Sequence, residues 1–544
     1  MLIKFVCYKY QNQSKHVIAD VIILGCSLPG IVTAHKLKKK FGDSMEIVVL
    51  DLATTRKNDS KCNVAFQEDR EEEERKDDIC EGTAKEKLDN VARYYLALYS
   101  KEFNIPLPDA IIAPDFFKSD LRKLFECTNG SIVECRDNFY DFDYLNFLER
   151  FELNQYQELL DQHMKGLFQS HKIDDESERR QLMYYDRTAM EEHLCNSLLF
   201  SSSRDIMRLT VRLVCGASAD SVSLLFYLHQ CYRSASARNH FDGDNTKLRE
   251  KLLGFCRKRL TSKLQQSVAS ITYPAETIKE IRSYSQEQVI LNGIKGETSY
   301  ICSLLAMALR PDQLKNIQMG SDLLPRKEYE IASTMCSGKA KKFVIQYEDN
   351  FWRRYGYSGD ILSLRGPIIW ATERPRMSTT GSQEKFSALV GYLKVKDNII
   401  NNKEAVVDQL IRLFGEEAGD LVSYKETDIH DVFVPKCGDY LGLRKLTTIG
   451  CRLLEWGALD VFAEGDVAAA LEAGHTAYLH LLSCLRPQAQ TYEELSAGEW
   501  PTFYTDSTVS RWIAGINIMK GVRLSIYTTL FYVGFRILQS FVRK

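Results

Sequence analysis

The 544-residue sequence lacks features that would assign it to several common classes of protein. Basic and acidic residues number 71 and 73, so charge gives no reason to expect binding to a nucleic acid. The 15 cysteines form no C-x-x-C pair, which argues against a structural zinc or other metal site. Lys4, Lys9 and Lys15 interrupt the apolar core that a signal peptide needs. We therefore expect a reduced protein that faces the cytosol.

The length of the chain predicts more than one hydrophobic core. A chain of 544 residues exceeds what one ordinary core supports, and 44% hydrophobic and 11% aromatic residues can fill two. We therefore expect two domains, either sequential or interleaved.

A stretch near the N-terminus has the layout of a βαβ unit that binds a dinucleotide. The apolar runs 21–24 and 47–50 predict buried parallel strands, and the residues between them predict a helix. In such a unit, backbone N–H groups at the start of the helix face a pyrophosphate, and an acid after the second strand holds a ribose hydroxyl. Asp51 is the acid in that position.

The turn of this unit departs from the G-x-G-x-x-G pattern at one position. Gly25 and Gly30 are the first and third glycines, but Ser27 replaces the second, where the backbone normally approaches the phosphates most closely. The candidate cofactor-binding residues are Gly25, Cys26, Ser27, Gly30 and Asp51. A nucleotide bound at this turn must therefore tolerate a side chain.

Helical periodicity dominates the next part of the chain, and a strand-rich part follows it. The predicted helices are 88–103, 117–125, 144–170, 188–199, 203–214, 219–232, 404–414 and 468–482. The predicted strands are 268–273, 278–281, 288–291, 298–304, 342–347, 361–364, 367–371, 388–393 and 459–463. Asn292-Gly293 predicts a hairpin turn between two of these strands.

The C-terminal part of the chain predicts contact with a membrane. Residues 507–544 include six basic residues and no acid, and 524–535 is an uncharged run. This run is shorter than the roughly 20 residues that span a bilayer, although snorkelling of Arg523 and Arg536 could extend it. An amphipathic helix packed on the protein or lying at a membrane surface is the alternative.

Taken together, residues 18–485 resemble the flavin-containing amine oxidase family, specifically its monoamine oxidase branch. The matching segments occur in the family's order and are 20–37, 48–51, 190–229, 351–359 and 460–477. The resemblance implies an α/β chain with a discontinuous, Rossmann-like FAD-binding domain and a substrate domain of mixed sheet and helices. A C-terminal helical tail follows these two domains.

The resemblance also implies where the domains begin and end. The FAD-binding domain comprises 18–100, 236–310 and 430–484. The substrate-type domain comprises 101–235 and 311–429, and the tail with its membrane-anchor helix comprises 485–544.

The resemblance assigns a catalytic role to one lysine. In the family, a lysine nine residues before a Phe-Trp pair holds a water against the flavin N5. Phe351 and Trp352 form that pair, so the matching candidate catalytic residue is Lys342. The alternative is that Lys342 belongs to a solvated cluster with Lys339 and Lys341.

Cys437 is the candidate for a covalent link to FAD. Monoamine oxidases attach FAD through a cysteine that precedes the last strand of the sheet, and Cys437 has the matching position. The family's small residues before this cysteine and its tyrosine after it are absent, because Lys436 precedes Cys437 and Gly438 follows. Noncovalent FAD is therefore the expected form, and a buried, inert cysteine is the alternative role for Cys437.

A third matching segment lies near the end of the FAD-binding domain. By resemblance, Glu464, Gly465 and Asp466 contact the pyrophosphate and ring of FAD, and 470–474 begins the family's Ala-x-Glu-Ala-Gly helix. The loop between them is shorter than in the family.

Several family features at the substrate and cofactor sites are missing. Gly438 replaces one tyrosine of the aromatic cage that aligns the amine, and the second tyrosine has no counterpart. The Gly-Gly-Arg expected soon after Asp51 is also absent. Tyr440 is the nearest tyrosine that could reach the site.

The residues and the resemblance are compatible with three functions. The first is an FAD-dependent amine oxidase that oxidises a small amine to an imine, which hydrolyses to an aldehyde, with O2 reduced to hydrogen peroxide. The second is a catalytically degenerate relative with a structural or binding role. The third is a membrane-surface protein that holds FAD for stability alone.

The tail and the resemblance together imply a location. They predict association with lipid through the tail, at the mitochondrial outer membrane with the body facing the cytosol, and a cytoplasmic protein is the alternative. A homodimer is compatible with the resemblance.

Overall fold

The structure is a computed structural model. It describes residues 15–52, 91–105, 121–136, 139, 142–168, 176–233, 260–275, 278–294, 298–324, 326–337, 340–374, 378–379, 382–383, 386–394, 402–429, 433–448, 453–456, 467–491, 521–522 and 525–533.

Helices and strands alternate in blocks along these residues. The helices are α1 (Leu28–Phe41), α2 (Val91–Glu102), α3 (Phe147–Phe168), α4 (Glu176–Arg187), α5 (Met190–Ser197), α6 (Ser201–Cys215), α7 (Leu224–Arg233), α8 (260–268), α9 (Pro311–Leu314), α10 (Arg326–Ser333), α11 (Phe351–Arg354), α12 (Asn402–Phe414), α13 (Tyr440–Thr448) and α14 (Val467–Leu485). The strands are β1 (Lys15–Leu24), β2 (Ile47–Leu52), β3 (Arg122–Glu126), β4 (Ile132–Cys135), β5 (Thr272–Ala275), β6 (Ile278–Ser285), β7 (Gln288–Gly293), β8 (Thr298–Met307), β9 (Gln318–Met319), β10 (Cys336–Ser337), β11 (Ala340–Tyr347), β12 (Tyr357–Ser363), β13 (Ile368–Arg374), β14 (Ser378–Thr379), β15 (Ser382–Gln383), β16 (Ser387–Leu393), β17 (Ser423–Ile429), β18 (Phe433–Val434) and β19 (Leu454–Glu455).

The first sheet is built around two strands that lie far apart in the chain. Its order is β5-β2-β1-β8-β7-β6-β9, and β19 also pairs with β8. Strands β5, β2, β1, β8 and β19 are parallel, and Ile22 of β1 lies opposite both Val48 of β2 and Leu305 of β8. The predicted βαβ unit is therefore confirmed, and β8 and β19 extend its parallel part.

The second sheet separates a helical layer from α12. Its order is β17-β11-β16-β13-β12-β3-β4, with mixed strand directions. On one face, Phe343 and Leu389 pack with Leu410 of α12. On the other, Trp370 and Tyr392 pack with the core formed by helices α3 to α7. The predicted α/β class is therefore confirmed, while the exact domain boundaries stay predictions.

Helix α1 packs closely against α14, and a glycine makes this contact feasible. A Cβ atom on Gly474 would lie 2.5 Å from the carbonyl oxygen of Pro29. The Thr33 hydroxyl lies 2.9 Å from the carbonyl oxygens of both Pro29 and Gly474, to which it can donate. The beginning of α1 is therefore held against a helix more than 400 residues further along the chain.

Several long helices predicted from periodicity are confirmed. The predicted helices 144–170, 203–214, 404–414 and 468–482 correspond to α3, α6, α12 and α14, with ends that differ by a few residues. The predicted strand 459–463 lies outside the described residues.

The helix predicted at 117–125 is wrong over its described part. Arg122–Glu126 is strand β3, which pairs with β12 on one side and with β4 on the other. Leu124, Phe125 and Glu126 are all buried because both faces of the sheet are covered. A short apolar run of this kind fits a buried strand as well as a helix, so tertiary packing decides the outcome.

One predicted strand and one predicted turn also need correction. In the predicted strand 268–273, a 3-10 turn at Ala269–Ile271 comes first and the strand begins at Thr272. The predicted hairpin is present, since β7 pairs antiparallel with β8, but Asn292 and Gly293 are the last residues of β7 rather than its turn. The Asn292 side chain donates to Glu280 of β6 and accepts from the Ser299 hydroxyl of β8.

Part of the predicted tail is described. Residues 525–533 are helical, and Ile526, Leu530 and Phe531 are exposed. Among the residues that the structure describes, no helix is both long enough and apolar enough to cross a membrane.

Replacing Gly474 with alanine should destabilise the protein. The added Cβ would overlap the backbone oxygen of Pro29, which a side-chain rotation cannot relieve. We expect Gly474→Ala to lower the free energy of unfolding by about 1–3 kcal/mol, measured by urea denaturation. Gly419→Ala is the control, because its Cβ would make only an ordinary 3.5 Å contact with Ile411. Equal stability of the two variants would contradict this account of the α1–α14 contact.

Candidate cofactor site

The turn between β1 and α1 begins at a glycine that the backbone requires. Gly25 has a φ of +109°, and a Cβ on it would lie 2.3 Å from the carbonyl oxygen of Ala308. The Gly25 N–H donates to the carbonyl of Leu50 at 2.9 Å, and the Ala308 N–H donates to that of Leu24 at 2.9 Å. A side chain at Gly25 would therefore break the junction of β1 with both neighbouring strands.

The second retained glycine allows α1 to lie close to the end of β8. A Cβ on Gly30 would lie 2.4 Å from the Cβ of Ala308. This matches the third glycine of a dinucleotide-binding turn, whose function is close packing of helix and strand. Both retained glycines are thus accounted for by packing against one residue, Ala308.

Ser27 is the N-cap residue of α1, but its side chain does not cap the helix. Its backbone is extended, with φ −63° and ψ 155°, and its hydroxyl makes no capping hydrogen bond. The Ser27 Oγ is buried and has no hydrogen-bond partner among the described residues. The first turn of α1 contains no acid. The N-terminus of a helix whose first turn contains no acid suits an anion such as a phosphate, although Pro29 in that turn supplies no N–H.

Cys26 and Asp51 meet beside this turn. Burial, together with the adjacent Asp51 carboxylate, raises the pKa of the Cys26 thiol to about 12. The thiol is therefore protonated at neutral pH. Asp51 itself is exposed at the end of β2, where its carboxylate can accept hydrogen bonds from the hydroxyls of a ribose.

The predicted residues of the βαβ unit therefore come together at the carboxyl ends of β1 and β2. The arrangement fits a dinucleotide such as FAD, with its diphosphate at Ser27 and the start of α1 and a ribose at Asp51. Glu464, Gly465 and Asp466 lie outside the described residues, and within the described part of the chain no cluster of side chains could hold a metal ion.

Lys342 lies on the second sheet, on the face that meets the helical layer. On β11 it stands between Tyr392 of β16 and Thr427 of β17. The Tyr392 ring stacks on Trp370 with ring centroids 5.7 Å apart. Adjacent residues of a strand point to opposite faces, so Lys341 lies on the other side, where it pairs with Glu426 at 3.0 Å. Lys342 is thus separated from the ion pairs of its neighbour.

The Phe-Trp-Arg segment that marks Lys342 in the sequence has a packing role of its own. Phe351 and Trp352 are buried in the core between α12 and the sheet. Trp352 Nε1 donates to Glu373 at 3.1 Å, and Arg353 Nε donates to the same carboxylate oxygen at 2.7 Å. Sequence reasoning missed Glu373, whose signal is only an acid within an otherwise apolar strand.

Cys437 lies in the loop between β18 and α13, and hydrogen bonds connect this loop to α4. The next residue, Gly438, has a φ of +94°, and its N–H donates to the backbone carbonyl of Asp186 at 2.7 Å. The Asp186 carboxylate accepts from the N–H groups of Tyr440 at 3.3 Å and Leu441 at 3.1 Å, which caps α13.

Asp186 is a second residue that sequence reasoning missed. Burial raises the pKa of its carboxyl group, although the N–H groups of Leu441, Tyr440 and Gly438 oppose this effect. No local pattern indicates the role of Asp186, because its partners lie about 250 residues away in the chain.

Tyr440 is part of the helical core. It is fully buried, and its ring contacts Phe226 and His229 with centroid separations of 5.5 and 5.6 Å. It therefore presents no exposed ring surface to a substrate.

Comparison with known proteins gives one related sequence and several related structures. A probable flavin-containing monoamine oxidase A of Dictyostelium discoideum is 24% identical over 243 residues, which cover 43% of this chain. The match spans 51% of that relative, about half its length. No protein-family model matches the chain.

The related structures are oxidases named for amine substrates. A double mutant of putrescine oxidase with redesigned cofactor binding has a TM-score of 0.63 and 15% identity, over 86% of this chain and 100% of that one. Wild-type putrescine oxidase bound to putrescine has a TM-score of 0.62 and 14% identity, with the same coverage. Cyclohexylamine oxidase from Brevibacterium oxydans has a TM-score of 0.59 and 15% identity, over 85% of this chain and 98% of its own.

These comparisons agree with the geometry of the first sheet and its turn. The chain has the two-domain fold of the flavin-containing amine oxidases, and in sequence it resembles their monoamine oxidase branch as a divergent relative.

Proposed function

We propose that the protein is an FAD-dependent oxidoreductase of the amine oxidase type, which converts a small amine to an imine and then an aldehyde while O2 is reduced to hydrogen peroxide. The observation that carries the proposal is the turn at the start of α1, where the buried Ser27 hydroxyl and exposed Asp51 suit the diphosphate and ribose of a dinucleotide. The names of the related structures support an amine as substrate.

The residues of the chain would have separate roles in this reaction. Ser27, the N–H groups of α1 and Asp51 would hold the nucleotide part of FAD. FAD held there would supply the oxidising chemistry for the carbon beside the amine. Lys342 would hold an ordered water at its Nζ, and Trp370 and Tyr392 on the same face would limit access of bulk water.

A second candidate is a catalytically degenerate relative with a structural or binding role. It is favoured by the positions where the family has its aromatic cage. Gly438 has no side chain, and Tyr440 is fully buried against Phe226 and His229. Neither residue offers a ring surface that could align an amine.

We further propose that residues 485–544 attach the protein to a membrane, with the mitochondrial outer membrane and a cytosol-facing body as the expected location. The exposed apolar side chains of Ile526, Leu530 and Phe531 support this, as does the excess of basic residues in 507–544. A homodimer is compatible with the proposal, and a cytoplasmic protein is the alternative.

Purified protein should bind FAD and show the absorption of an oxidised flavin. We expect Asp51→Asn to weaken FAD binding by about tenfold, because it removes the charge that accepts hydrogen bonds from the ribose. Isothermal titration of FAD measures this effect. Asp20→Asn is the control, because Asp20 accepts an N–H of Glu46 away from the turn.

Acid precipitation of the same protein should release the flavin into the supernatant, as expected for noncovalent FAD. Flavin that stays with the precipitate, but is released from Cys437→Ser, would instead show a covalent link. A folded preparation that binds no FAD would contradict the proposed function.

Peroxide release should separate an active enzyme from a degenerate relative. We expect the flavin-loaded protein to produce hydrogen peroxide with at least one member of a panel of small amines. Lys342→Met should lower kcat by roughly tenfold or more, because it removes the group that holds the water. Lys341→Met is the matched control on the opposite face of β11.

An absence of peroxide with every amine, in protein that does bind FAD, would favour the degenerate candidate. An equal loss of kcat in the Lys341 and Lys342 variants would contradict the specific role of Lys342.

A protein that ends at residue 506 should lose its attachment to membranes. We expect the full chain to sediment with vesicles of mixed neutral and anionic lipids, because the tail is basic and its helix exposes apolar side chains. The shortened protein should stay in the supernatant. Equal sedimentation of the two proteins would exclude the tail as the anchor.

A further inference from the structure

The tail contains a helix whose large apolar side chains are left uncovered. Residues 525–533, the tail helix, are helical and all nine are exposed. Leu530 and Phe531 have exposed fractions of 62% and 77%. Adjoining exposed side chains of this size mark a surface that binds something apolar.

The polar residues in this part of the chain recur at the three- and four-residue spacing of one helical face. Between 524 and 543 they are Ser525, Thr528, Thr529, Tyr532, Arg536, Gln539, Ser540 and Arg543, which we call the polar stripe. The first four lie on the tail helix, and the sequence continues the same spacing beyond the described residues. Outside the stripe, 524–543 contains only apolar residues, Gly534 and Tyr527, whose hydroxyl sits on an aromatic ring.

A stripe of this kind distinguishes two ways of meeting a membrane. A helix that crosses the bilayer would place Arg536 and the rest of the stripe among acyl chains, where a charged side chain is costly. A helix that lies in the plane of the surface buries one face and keeps the other in contact with headgroups and water. The polar stripe has the arrangement that the second case requires.

The charges around the helix indicate which lipids it meets. Residues 507–544 contain six basic residues and no acid, so this segment is attracted to anionic headgroups. Arg536 and Arg543 are the charged residues of 524–543, and both belong to the polar stripe. Lys520 and Arg523 precede the apolar run, where their long side chains can reach the headgroups.

We propose that the tail helix lies in the plane of one leaflet of an anionic membrane, with Leu530 and Phe531 among the acyl chains and the polar stripe towards the headgroups. The inference rests on the proposed attachment of the tail to a membrane. It adds the orientation of the helix and the charge of the lipids that hold it.

Two adjacent residues test the orientation with a matched pair of variants. Thr529 belongs to the polar stripe and Leu530 to the apolar face, and both are exposed, so a lysine at either position leaves the core of the protein intact. We expect Leu530→Lys to weaken binding of the full chain to vesicles of phosphatidylcholine and phosphatidylserine by about tenfold or more. Thr529→Lys should bind as tightly as the unmodified chain or more tightly, because it adds a positive charge beside the headgroups. Sedimentation with the vesicles measures both.

The lipid composition and the salt concentration test the electrostatic part. We expect the unmodified chain to bind about tenfold more weakly to vesicles of phosphatidylcholine alone, because the anionic headgroups are missing. Raising the salt concentration from about 0.1 M to about 0.5 M should weaken binding to the mixed vesicles by a similar factor, since exposed charges are screened.

The outcomes separate this inference from the proposed attachment. If the full chain does not sediment with the mixed vesicles, the attachment is contradicted, and the inference with it. If the chain binds but the two lysine variants lose binding equally, only the inference is overturned, because adjacent residues of a spanning helix lie at almost the same depth. Binding that Leu530→Lys leaves unchanged would also overturn it, since the apolar face would then meet the body of the protein or a second copy. Binding that resists both salt and the removal of phosphatidylserine would overturn the electrostatic part.

Discussion

The close approach of the first turn to the end of β8 is the constraint on which the candidate cofactor site depends. Gly25 and Gly30 both face Ala308 at distances that no Cβ atom could occupy. On the other side of α1, Gly474 lies against Pro29 with equally little space. The start of α1 is thus fixed from two sides, and this fixes the N–H groups that would face a diphosphate.

The sequence predicted this part of the fold well because its signals are local. The two apolar runs, the turn glycines and Asp51 all lie within about 30 residues, and each has a direct counterpart in β1, α1 and β2. The helix predicted at 117–125 was wrong over its described part for a different reason. Its apolar run fits either kind of element, and one of the two strands that pair with β3, β12, lies more than 200 residues away.

The second sheet and the helices beside it were less predictable because their polar residues find partners across long separations. The Phe-Trp pair marks Lys342 in the sequence, and the catalytic role of Lys342 stays a prediction. Trp352 itself packs in the core and donates to Glu373. Asp186 caps α13 from a helix about 250 residues earlier, and no local motif marks it. The positions at which the sequence departs from the amine oxidase pattern can be read locally, whereas the contacts of Glu373 and Asp186 required the structure.

The contact between Gly474 and Pro29 affects when the βαβ unit can finish folding during synthesis of the chain. Strand β1 needs β8, and the turn between β1 and α1 needs Ala308 and then Gly474, so the segments that complete the turn leave the ribosome hundreds of residues after it. The nascent βαβ unit must therefore wait with its apolar strands incompletely covered until most of the chain has been synthesised. Long-range closure of this kind slows folding and exposes strand edges to aggregation, which makes chaperone binding to the growing chain advantageous.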